Sequence, residues 1–282
     1  MLEDILDVTK NEILFQGEIK METIRMWQCT PSMIGEEPVL EYYPAKEKKT
    51  DACIVIFPGG GYDHRATHEG EGYAKFLNSF GMDAFVLQYR VSPYKFPIEL
   101  LDARRCIRYV RANAEKFGIN SSKIGVMGSS AGGHLAALLC TYSKNIENEN
   151  VDEIDNFDYI PNFQVLCYPV IAISDFTISH LGSTLNLLGN TSEELEKAPM
   201  LDPYVIANKN TPKAFVWHTS EDAVVNVCNS LKYGEKLRML SIPFEMHIFP
   251  NGPHGLGLAE QIPHVAQWQK LFISWLKENT YL

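Results

Sequence analysis

The stretch Lys123-Ile124-Gly125-Val126-Met127-Gly128-Ser129-Ser130-Ala131-Gly132-Gly133-His134 decides how the chain folds. Its first half is a short apolar run of the kind found in strands, and Leu135, Leu138 and Leu139 then recur at helical spacing. A strand therefore turns sharply into a buried helix at this point. The turn itself carries Gly128-x-Ser130-x-Gly132, a pattern that places a serine between a strand and a helix.

The two glycines of this pattern explain how the turn can be so sharp. A serine at its tip occupies a strained backbone conformation, and the neighbours two positions away on either side come close together. Residues without a Cβ permit that approach. The turn exposes Ser130 Oγ above the sheet and aims the N-terminus of the next helix at the same point, where free N–H groups favour a developing anion. We therefore expect Ser130 to act as a nucleophile.

Strands and helices alternate on both sides of this turn. Apolar or alternating runs predict further strands over 18–27, 39–43, 52–57, 83–88, 163–168, 213–217 and 244–249. Apolar residues three or four positions apart predict helices over 70–80, 97–118, 224–240 and 264–278. The alternation predicts an α/β fold with a mostly parallel sheet and helices on both faces, in which the first two strands form an antiparallel edge hairpin.

Two segments lie outside this alternation. Residues 145–158 are acidic and rich in asparagine, which is typical of a surface loop. Residues 172–212 are irregular in pattern and too long for a plain connection, and they leave the sheet near the predicted active-site rim. We expect them to form a lid-like insertion within a single domain that spans residues 1–282.

The composition excludes several classes of function. The chain has 282 residues, of which 45% are hydrophobic and 21% are charged, as in an ordinary globular domain with a deep core. Its net charge of −10 argues against nucleic-acid binding, which usually needs a basic face. The same charge disfavours an anionic membrane surface as a partner.

The six cysteines show neither a Cys-x-x-Cys pair nor a metal-ligand spacing. Cys53 and Cys167 lie in apolar, strand-like runs, so we expect buried free thiols rather than disulfides or a metal site. The N-terminus, Met1-Leu2-Glu3-Asp4-Ile5, is acidic where a secretory signal is basic, and no apolar run reaches membrane length. These features predict a cytoplasmic protein.

A serine nucleophile needs a histidine to take its proton and a carboxylate to hold that histidine. In a fold of this type the acid precedes the histidine along the chain. Asp222 follows the predicted strand 213–217 and His254 follows strand 244–249, so both would lie on the same rim as Ser130. We favour Asp222 over its neighbour Glu221 because the shorter side chain matches the usual acid. His218 is kept as the alternative base.

The run Gly59-Gly60-Gly61 is a separate indication of the same chemistry. It follows an early strand, where unobstructed backbone N–H groups can point at a substrate oxygen. Together with the N–H of Ala131, those of Gly60 and Gly61 would stabilise a tetrahedral oxyanion. Tyr62 is expected to meet the alcohol part of the substrate. The run contains neither a dinucleotide fingerprint nor a P-loop, so it does not suggest a nucleotide.

The chain resembles the α/β-hydrolases and, within them, the bacterial acetyl xylan esterase and lipase/esterase-like group. The matching stretches cover most of the chain from residue 52 onward: Pro58-Gly59-Gly60-Gly61-Tyr62, Glu69-Gly70-Glu71, Tyr89-Arg90, Gly128 to Leu135, His218 to Asp222 and Gly252-Pro253-His254-Gly255. The resemblance implies Ser130, Asp222 and His254 as a triad and carboxyl-ester hydrolysis as the reaction. Two departures leave the triad untouched: Pro58 stands where many relatives have histidine, and Val225-Asn226 stands where a Val-Pro pair is frequent.

These features together predict a serine esterase that removes short acyl groups, chiefly acetyl, from sugars or xylo-oligosaccharides. Its substrate would be a small ester or an acetylated oligosaccharide, with no metal or organic cofactor, and a homodimer is left open. The alternatives are a peptidase or amidase with the same triad, a general short-chain carboxylesterase, and a non-catalytic binding module. Ala131 stands where prolyl-oligopeptidase relatives often have tyrosine, and no triad member is missing.

Overall fold

Eight strands form one sheet in the computed structural model, which describes residues 21–147 and 152–282. The strands are β1 (Glu22–Arg25), β2 (Val39–Tyr43), β3 (Cys53–Phe57), β4 (Asp83–Gln88), β5 (Ile124–Ser129), β6 (Phe163–Cys167), β7 (Lys213–Thr219) and β8 (Phe244–Phe249). They are arranged in the order β1-β2-β4-β3-β5-β6-β7-β8. The β1–β2 and β2–β4 pairs are antiparallel and the other five pairs are parallel. The predicted edge hairpin and mostly parallel sheet are confirmed.

Nine α-helices are described in these ranges: α1 (Thr67–Ser79), α2 (Ile98–Ala112), α3 (Ala114–Phe117), α4 (Ser130–Thr141), α5 (Leu181–Leu188), α6 (Ser192–Leu195), α7 (Pro203–Ile206), α8 (Cys228–Met239) and α9 (Gln267–Glu278). Short 3₁₀ helices cover Glu153–Asn156 and Ala198–Leu201. Within the described residues, no helix combines the length and the apolar character needed to cross a membrane.

Alternate residues of the central strands face two separate hydrophobic cores. In β3, the side chains of Cys53, Val55 and Phe57 join the core that includes residues of α2, α4 and α8. Ile54 and Ile56 join the opposite core, which includes residues of α1 and α9. A strand that is covered on both faces reads as a continuous apolar run, which is why the sequence predicted it correctly. Helices therefore cover both faces of the sheet.

Three parallel strands bring the predicted site residues to one edge of this sheet. Ser130 directly follows β5, while Asp222 and His254 lie in the turns that follow β7 and β8. Because β5, β6, β7 and β8 run parallel to one another, their carboxyl ends all meet the same edge.

The structure corrects several predicted boundaries. The single helix predicted over 97–118 is broken at Asn113 into α2 and α3, and β7 continues two residues beyond the predicted strand. The helix predicted from residue 224 begins only at Cys228, and the N–H groups of Val224 and Val225, within the predicted range, donate to Asp222 Oδ1 at 2.9 Å each. The last helix begins at residue 267 rather than 264.

The two segments outside the alternation are more ordered than their pattern suggested. The section from residue 172 to 212, which we call the α5–α7 section, contains three short α-helices and a 3₁₀ turn. The segment 145–158 includes the 3₁₀ helix Glu153–Asn156, whose N-terminus is capped by the side chain of Asp152. Residues 148–151 of that segment, residues 18–20 of the first predicted strand and the acidic N-terminus all lie outside the described residues.

Candidate active site

Ser130 occupies the strained position that the sequence pattern predicts. Its φ is +52°, in the left-handed region that side chains rarely adopt, and Ser130 is the first residue of α4. The turn can close because Gly128 has no Cβ; a Cβ there would collide with the backbone oxygen of Gly132. The carbonyl of Ser130 accepts a hydrogen bond from the N–H of Val170 at 3.0 Å, which ties the turn to the segment after β6. The Ser130 side chain is therefore held at the edge of the sheet by its own backbone.

A continuous chain of hydrogen bonds joins Ser130, His254 and Asp222. His254 Nε2 lies 2.8 Å from Ser130 Oγ, and His254 Nδ1 lies 2.6 Å from Asp222 Oδ2. A carboxylate can only accept, so Nδ1 carries the proton and Nε2 is left to accept from the serine hydroxyl. The Asp222 side chain is fully buried, whereas 15% of the His254 side chain is exposed. The structure thus brings together the three side chains that the sequence singled out, with His254 between Ser130 and Asp222.

Asp222 is held in its ionised form by four donors. Oδ2 lies 3.3 Å from His218 Nε2 as well as 2.6 Å from His254 Nδ1, and Oδ1 accepts from the N–H groups of Val224 and Val225. Burial by itself would raise the pKa of this carboxyl. The hydrogen bonds from His218, from His254 and from the backbone of Val225 outweigh burial and hold the pKa of Asp222 well below its usual range.

His218 does not lie where an alternative base would have to be. Its side chain is fully buried, Nδ1 lies 2.8 Å from Ser230 Oγ, and Nε2 lies 3.0 Å from the carbonyl of Val225. Because Nε2 faces a carbonyl and a carboxylate, it carries the proton and donates it. His218 therefore supports Asp222 rather than competing with His254.

Glu221, the rival candidate for the acid, lies apart from the base. Its Oε2 accepts a hydrogen bond from the N–H of Gly252 at 3.1 Å, and that glycine lies two residues before His254. Glu221 therefore supports the loop that carries the histidine, while Asp222 contacts the imidazole itself.

The Gly59–Gly61 loop has its peptide planes fixed by hydrogen bonds to the carbonyl groups. The carbonyl of Gly59 accepts from Ala66 N–H at 2.9 Å, and the carbonyl of Gly60 accepts from Asp63 N–H at 3.0 Å. In a planar trans peptide the N–H points away from the carbonyl, so these bonds set the directions of the next two N–H groups, those of Gly60 and Gly61. Within residues 21–147 and 152–282, neither N–H donates to another protein group.

The conformation of this loop requires glycine at position 60. Its φ is +129°, and a Cβ there would collide with the carbonyl of His64. On the opposite side, Ala131 is the second residue of α4, so its N–H is among the four at a helix start that have no intrahelical partner. Gly60, Gly61 and Ala131 thus offer three backbone donors around the serine turn.

A buried network beneath the loop joins it to the His254 loop. Glu69 Oε2 accepts from the N–H of Gly59 at 2.7 Å, and Oε1 accepts from the hydroxyl of Tyr168 at 2.6 Å. The Tyr168 oxygen in turn accepts from the N–H of Gly257 at 2.9 Å, and the Tyr168 ring lies edge-on to His254 with ring centroids 5.1 Å apart. Sequence reasoning gave Glu69 no role. Two signals were available: Glu69 lies in one of the stretches that resemble the family, and Glu69, Tyr73 and Leu77 share one stripe of α1, which is buried.

Tyr62 is placed differently from the prediction. Its side chain is fully buried, and its hydroxyl lies 2.7 Å from His134 Nδ1, with the rings edge-on to each other. The ring is therefore directed into the core beneath α4 and does not meet the alcohol part of a substrate. The φ of +60° at Tyr62 turns the side chain inward at the end of the glycine loop.

Helix α5 packs against the outer side of the glycine loop. Asn186 Nδ2 donates to the carbonyl of Gly61 at 2.9 Å, and the carbonyl of Leu187 accepts from the N–H of Phe96 at 2.8 Å. His180, the residue just before the helix, contacts the same loop: a Cβ on Gly61 would lie 3.7 Å from His180 Cε1. The α5–α7 section therefore borders the site at the glycine loop.

The described residues contain no group of three or more His, Cys, Asp and Glu side chains arranged to hold a metal ion. The groups at the site are instead a hydroxyl, an imidazole, a carboxylate and backbone N–H donors. Such a set can activate a hydroxyl and stabilise a developing oxyanion.

The chain is similar in sequence to known proteins. The sequence signature of the BD-FAE family matches residues 41–237, well over half of the chain. Endo-1,4-beta-xylanase B of Butyrivibrio fibrisolvens is 38% identical over 268 residues, which cover 90% of this chain and 41% of the xylanase. The acetylxylan esterase of Xylanibacter ruminicola is 29% identical over 265 residues, which cover 92% of this chain and 52% of the esterase. The chain thus spans about half the length of these two relatives.

A solved structure extends the likeness to the whole fold. The acetyl ester-xyloside bifunctional hydrolase of Caldicellulosiruptor lactoaceticus is 41% identical and superposes with a TM-score of 0.86. The match covers 93% of this chain and 97% of that one. The sheet order, the helices on both faces and these likenesses together show that this chain has the α/β-hydrolase fold and belongs to the BD-FAE family.

Proposed function

We propose that the chain is a serine esterase in which Ser130, His254 and Asp222 form the catalytic triad. The observation that carries this proposal is the hydrogen-bonded chain from Ser130 Oγ through His254 to Asp222, with contacts of 2.8 and 2.6 Å. Both distances lie within the range that proton transfer requires. The likeness to an acetylxylan esterase and to an acetyl ester-xyloside hydrolase supports carboxyl-ester hydrolysis as the reaction.

In the proposed acylation step, His254 Nε2 takes the proton of Ser130 as Oγ attacks the acyl carbon. The carbonyl oxygen becomes an oxyanion, and the N–H groups of Gly60, Gly61 and Ala131 donate to it. The ionised Asp222 stabilises the imidazolium that forms. When the tetrahedral intermediate collapses, the bond to the alcohol oxygen breaks and His254 gives that oxygen the proton. The products of this step are the free alcohol and an acyl-serine.

Deacylation repeats these steps with water as the nucleophile. His254 takes a proton from water, the hydroxide oxygen adds to the acyl carbon, and the oxyanion again forms among the same donors. Collapse breaks the bond to Ser130 Oγ, which recovers its proton from His254. The net reaction is ester plus water to carboxylic acid plus alcohol, and the protein returns to its starting state.

We further propose that the preferred substrates are short acyl esters of sugars, including acetylated xylo-oligosaccharides. The α5–α7 section would act as a lid that limits the acyl group. Leu187 and Leu188 are buried and pack this section onto the core, whereas Phe176 and Leu181 are 60% and 53% exposed. The exposed pair is free to contact a substrate that reaches this section. The relatives whose names include acetyl esters of xylan or xylosides support the sugar.

A series of p-nitrophenyl esters tests the proposal. We expect kcat/KM to fall steeply from acetyl to butyryl and almost to vanish at octanoyl, with acetylated xylo-oligosaccharides releasing acetate readily. Each acyl methylene that a pocket buries stabilises the bound substrate by up to ~0.8 kcal/mol. In an open pocket kcat/KM would therefore rise with acyl chain length. That rise would overturn the sugar-deacetylase assignment. Hydrolysis of p-nitroacetanilide, the matching amide, at a rate comparable to that of p-nitrophenyl acetate would favour an amidase.

A further inference from the structure

A histidine outside the triad faces the site from the α5–α7 section. His180 is half-buried, and its Cε1 lies against the glycine loop, within contact distance of a Cβ placed on Gly61. It is close enough to His254 and Asp222 that both affect its titration. Burial is the main cause that lowers the pKa of His180, a protonated His254 lowers it further, and Asp222 opposes the shift. His180 thus lies on the side of the glycine loop, within electrostatic reach of His254 and Asp222.

The hydrogen bonds of the ring fix which nitrogen carries the proton. The N–H of Ser183 donates to His180 Nδ1 at 3.2 Å, and Ser183 Oγ lies 2.8 Å from the same nitrogen. A backbone N–H can only donate, so Nδ1 must be an acceptor. In the neutral imidazole the proton is then on Nε2, which makes Nε2 a hydrogen-bond donor. In the part of the chain that the structure describes, Nε2 donates to no protein group.

The position of the ring is rigidly supported. Ser183 and Thr184 are fully buried in the first turn of α5, and Thr184 Oγ1 donates to the carbonyl of Ile173 at 3.2 Å. One turn further on, Asn186 donates to the carbonyl of Gly61. Helix α5, which begins directly after His180, is thus hydrogen-bonded to the loop that would bind the oxyanion. His180 Nε2 therefore keeps a fixed position relative to that loop.

We propose that His180 is a specificity-determining residue, whose Nε2–H donates a hydrogen bond to an oxygen of the leaving alcohol next to the scissile ester. This inference rests on the proposed esterase function. The acyl carbonyl would lie between the glycine loop and α4, and the alcohol oxygen must lie within reach of His254 to receive its proton. A donor beside both the loop and His254 meets the atoms attached to that alcohol oxygen. Sugars carry a hydroxyl or ring oxygen on the neighbouring carbon, whereas simple alkyl and aryl alcohols do not.

Two matched esters isolate this hydrogen bond. The monoacetate of trans-1,2-cyclohexanediol has an oxygen on the carbon adjacent to the ester, and cyclohexyl acetate lacks it. We expect wild-type protein to prefer the diol monoacetate by about three- to tenfold in kcat/KM, the range for one uncharged hydrogen bond. His180→Phe keeps a planar ring without a donor and should bring the ratio of the two kcat/KM values close to one. His180→Gln retains a donor near the position of Nε2 and should keep part of the preference.

The ratio of kcat/KM for the diol monoacetate to kcat/KM for cyclohexyl acetate reports on recognition of the alcohol. Partial misfolding of a variant lowers both kcat/KM values equally and leaves this ratio unchanged. His247→Phe serves as the matched control, since His247 lies on β8 and contacts Glu245 at 2.7 Å, away from the glycine loop; its ratio should equal that of wild type. A wild-type ratio of one, or a His180→Phe ratio equal to wild type, would overturn the inference and leave the esterase standing. Failure of wild type to hydrolyse either ester would overturn both.

Discussion

The two sides of Ser130 are built on different principles. On the triad side, formed by Ser130, Asp222 and His254, every functional atom belongs to a side chain in a short turn after a parallel strand. On the glycine-loop side, formed by residues 58–62 and α5, the functional atoms are backbone N–H groups. The N–H groups of Ala66 and Asp63 set the directions of these donors by binding the Gly59 and Gly60 carbonyls. Glu69 and Asn186, from α1 and α5, hold the Gly59 N–H and the Gly61 carbonyl on either side. The chemistry of the triad side depends on which side chains are present. The chemistry of the glycine-loop side depends on hydrogen bonds from other segments that hold the backbone donors in place.

The largest expected effect comes from removing the nucleophile on the triad side. Ser130→Ala should lower kcat on p-nitrophenyl acetate by about 10⁴- to 10⁶-fold, because triad members act as a unit. The variant should fold normally, since only one hydroxyl is lost at the edge of the sheet. Circular dichroism and thermal melting check the fold, and a serine-directed organophosphonate should label wild type at Ser130. Near-normal turnover by intact Ser130→Ala would refute the triad.

The acid is expected to matter almost as much. Asp222→Asn preserves the shape but offers His254 Nδ1 an amide, which favours the wrong imidazole tautomer, so kcat should fall about 10³- to 10⁴-fold. Glu221→Gln is the matched control, because a glutamine oxygen can still accept from Gly252 N–H; we expect less than about threefold loss. If the two variants ranked the other way, the role of acid would pass to Glu221.

The sequence predicted the fold correctly, and the three residues of the proposed triad could be picked out from it, because both depend on local signals. The uninterrupted apolar run of Ile54, Val55 and Ile56 identifies a strand covered on both faces. Ser130 between its glycines identifies the turn, and a histidine or an acid directly after a parallel strand can lie only at one edge of the sheet. These signals lie within a few residues of the atoms they describe.

The rest of the site depends on contacts between distant parts of the chain. Nothing beside Tyr62 indicates that its hydroxyl meets His134, which lies 72 positions further on. Nothing near His218 indicates that it supports Asp222 rather than replacing His254. Glu69 joins Gly59 to Tyr168, which lies 99 positions away, and only the folded chain brings the three together. Side-chain identity at such positions is compatible with several partners until tertiary packing selects one.

The support of the glycine loop provides an intermediate effect that tests the other side of the comparison. Glu69→Ala removes the acceptors of Gly59 N–H and of the Tyr168 hydroxyl, which loosens the donors without deleting them. Because one oxyanion donor contributes about 10²- to 10³-fold, we expect kcat to fall about 10- to 100-fold with little change in KM. The control is Glu71→Ala, since the Glu71 side chain is 45% exposed and forms an ion pair with Lys75. Loss of thermal stability with normal kcat would give Glu69 a purely structural role.

The last expected effect is on stability rather than on activity and concerns His134, which connects the glycine loop to the α5–α7 section. Its Nε2 lies 2.8 Å from the carbonyl of Leu201, so Nε2 carries the proton, and Nδ1 accepts from the hydroxyl of Tyr62. Burial lowers the pKa of His134 to about 4, from an ordinary value of 6.5. The hydrogen bond from the Tyr62 hydroxyl requires an unprotonated Nδ1, and burial favours this neutral imidazole. The hydrogen bond from Nε2 to the Leu201 carbonyl opposes the shift, because the protonated ring makes it too.

This lowered pKa makes stability depend on pH in a defined window. Between pH 6.5 and about 4 the unfolded chain binds a proton at His134 that the folded chain does not, so folding stability falls as the pH falls through this range. The full difference is about 3 kcal/mol. His134→Gln should be less stable than wild type at pH 7.5, and the gap in unfolding free energy should narrow by about that amount at pH 4.

Thr141→Val is the control. It lies in the same helix and removes a buried hydroxyl without a titrating group, so its difference in unfolding free energy from wild type should be the same at both pH values. Urea titrations at both pH values measure the gaps, and a gap for His134→Gln that does not change with pH would show that His134 is not held neutral by burial.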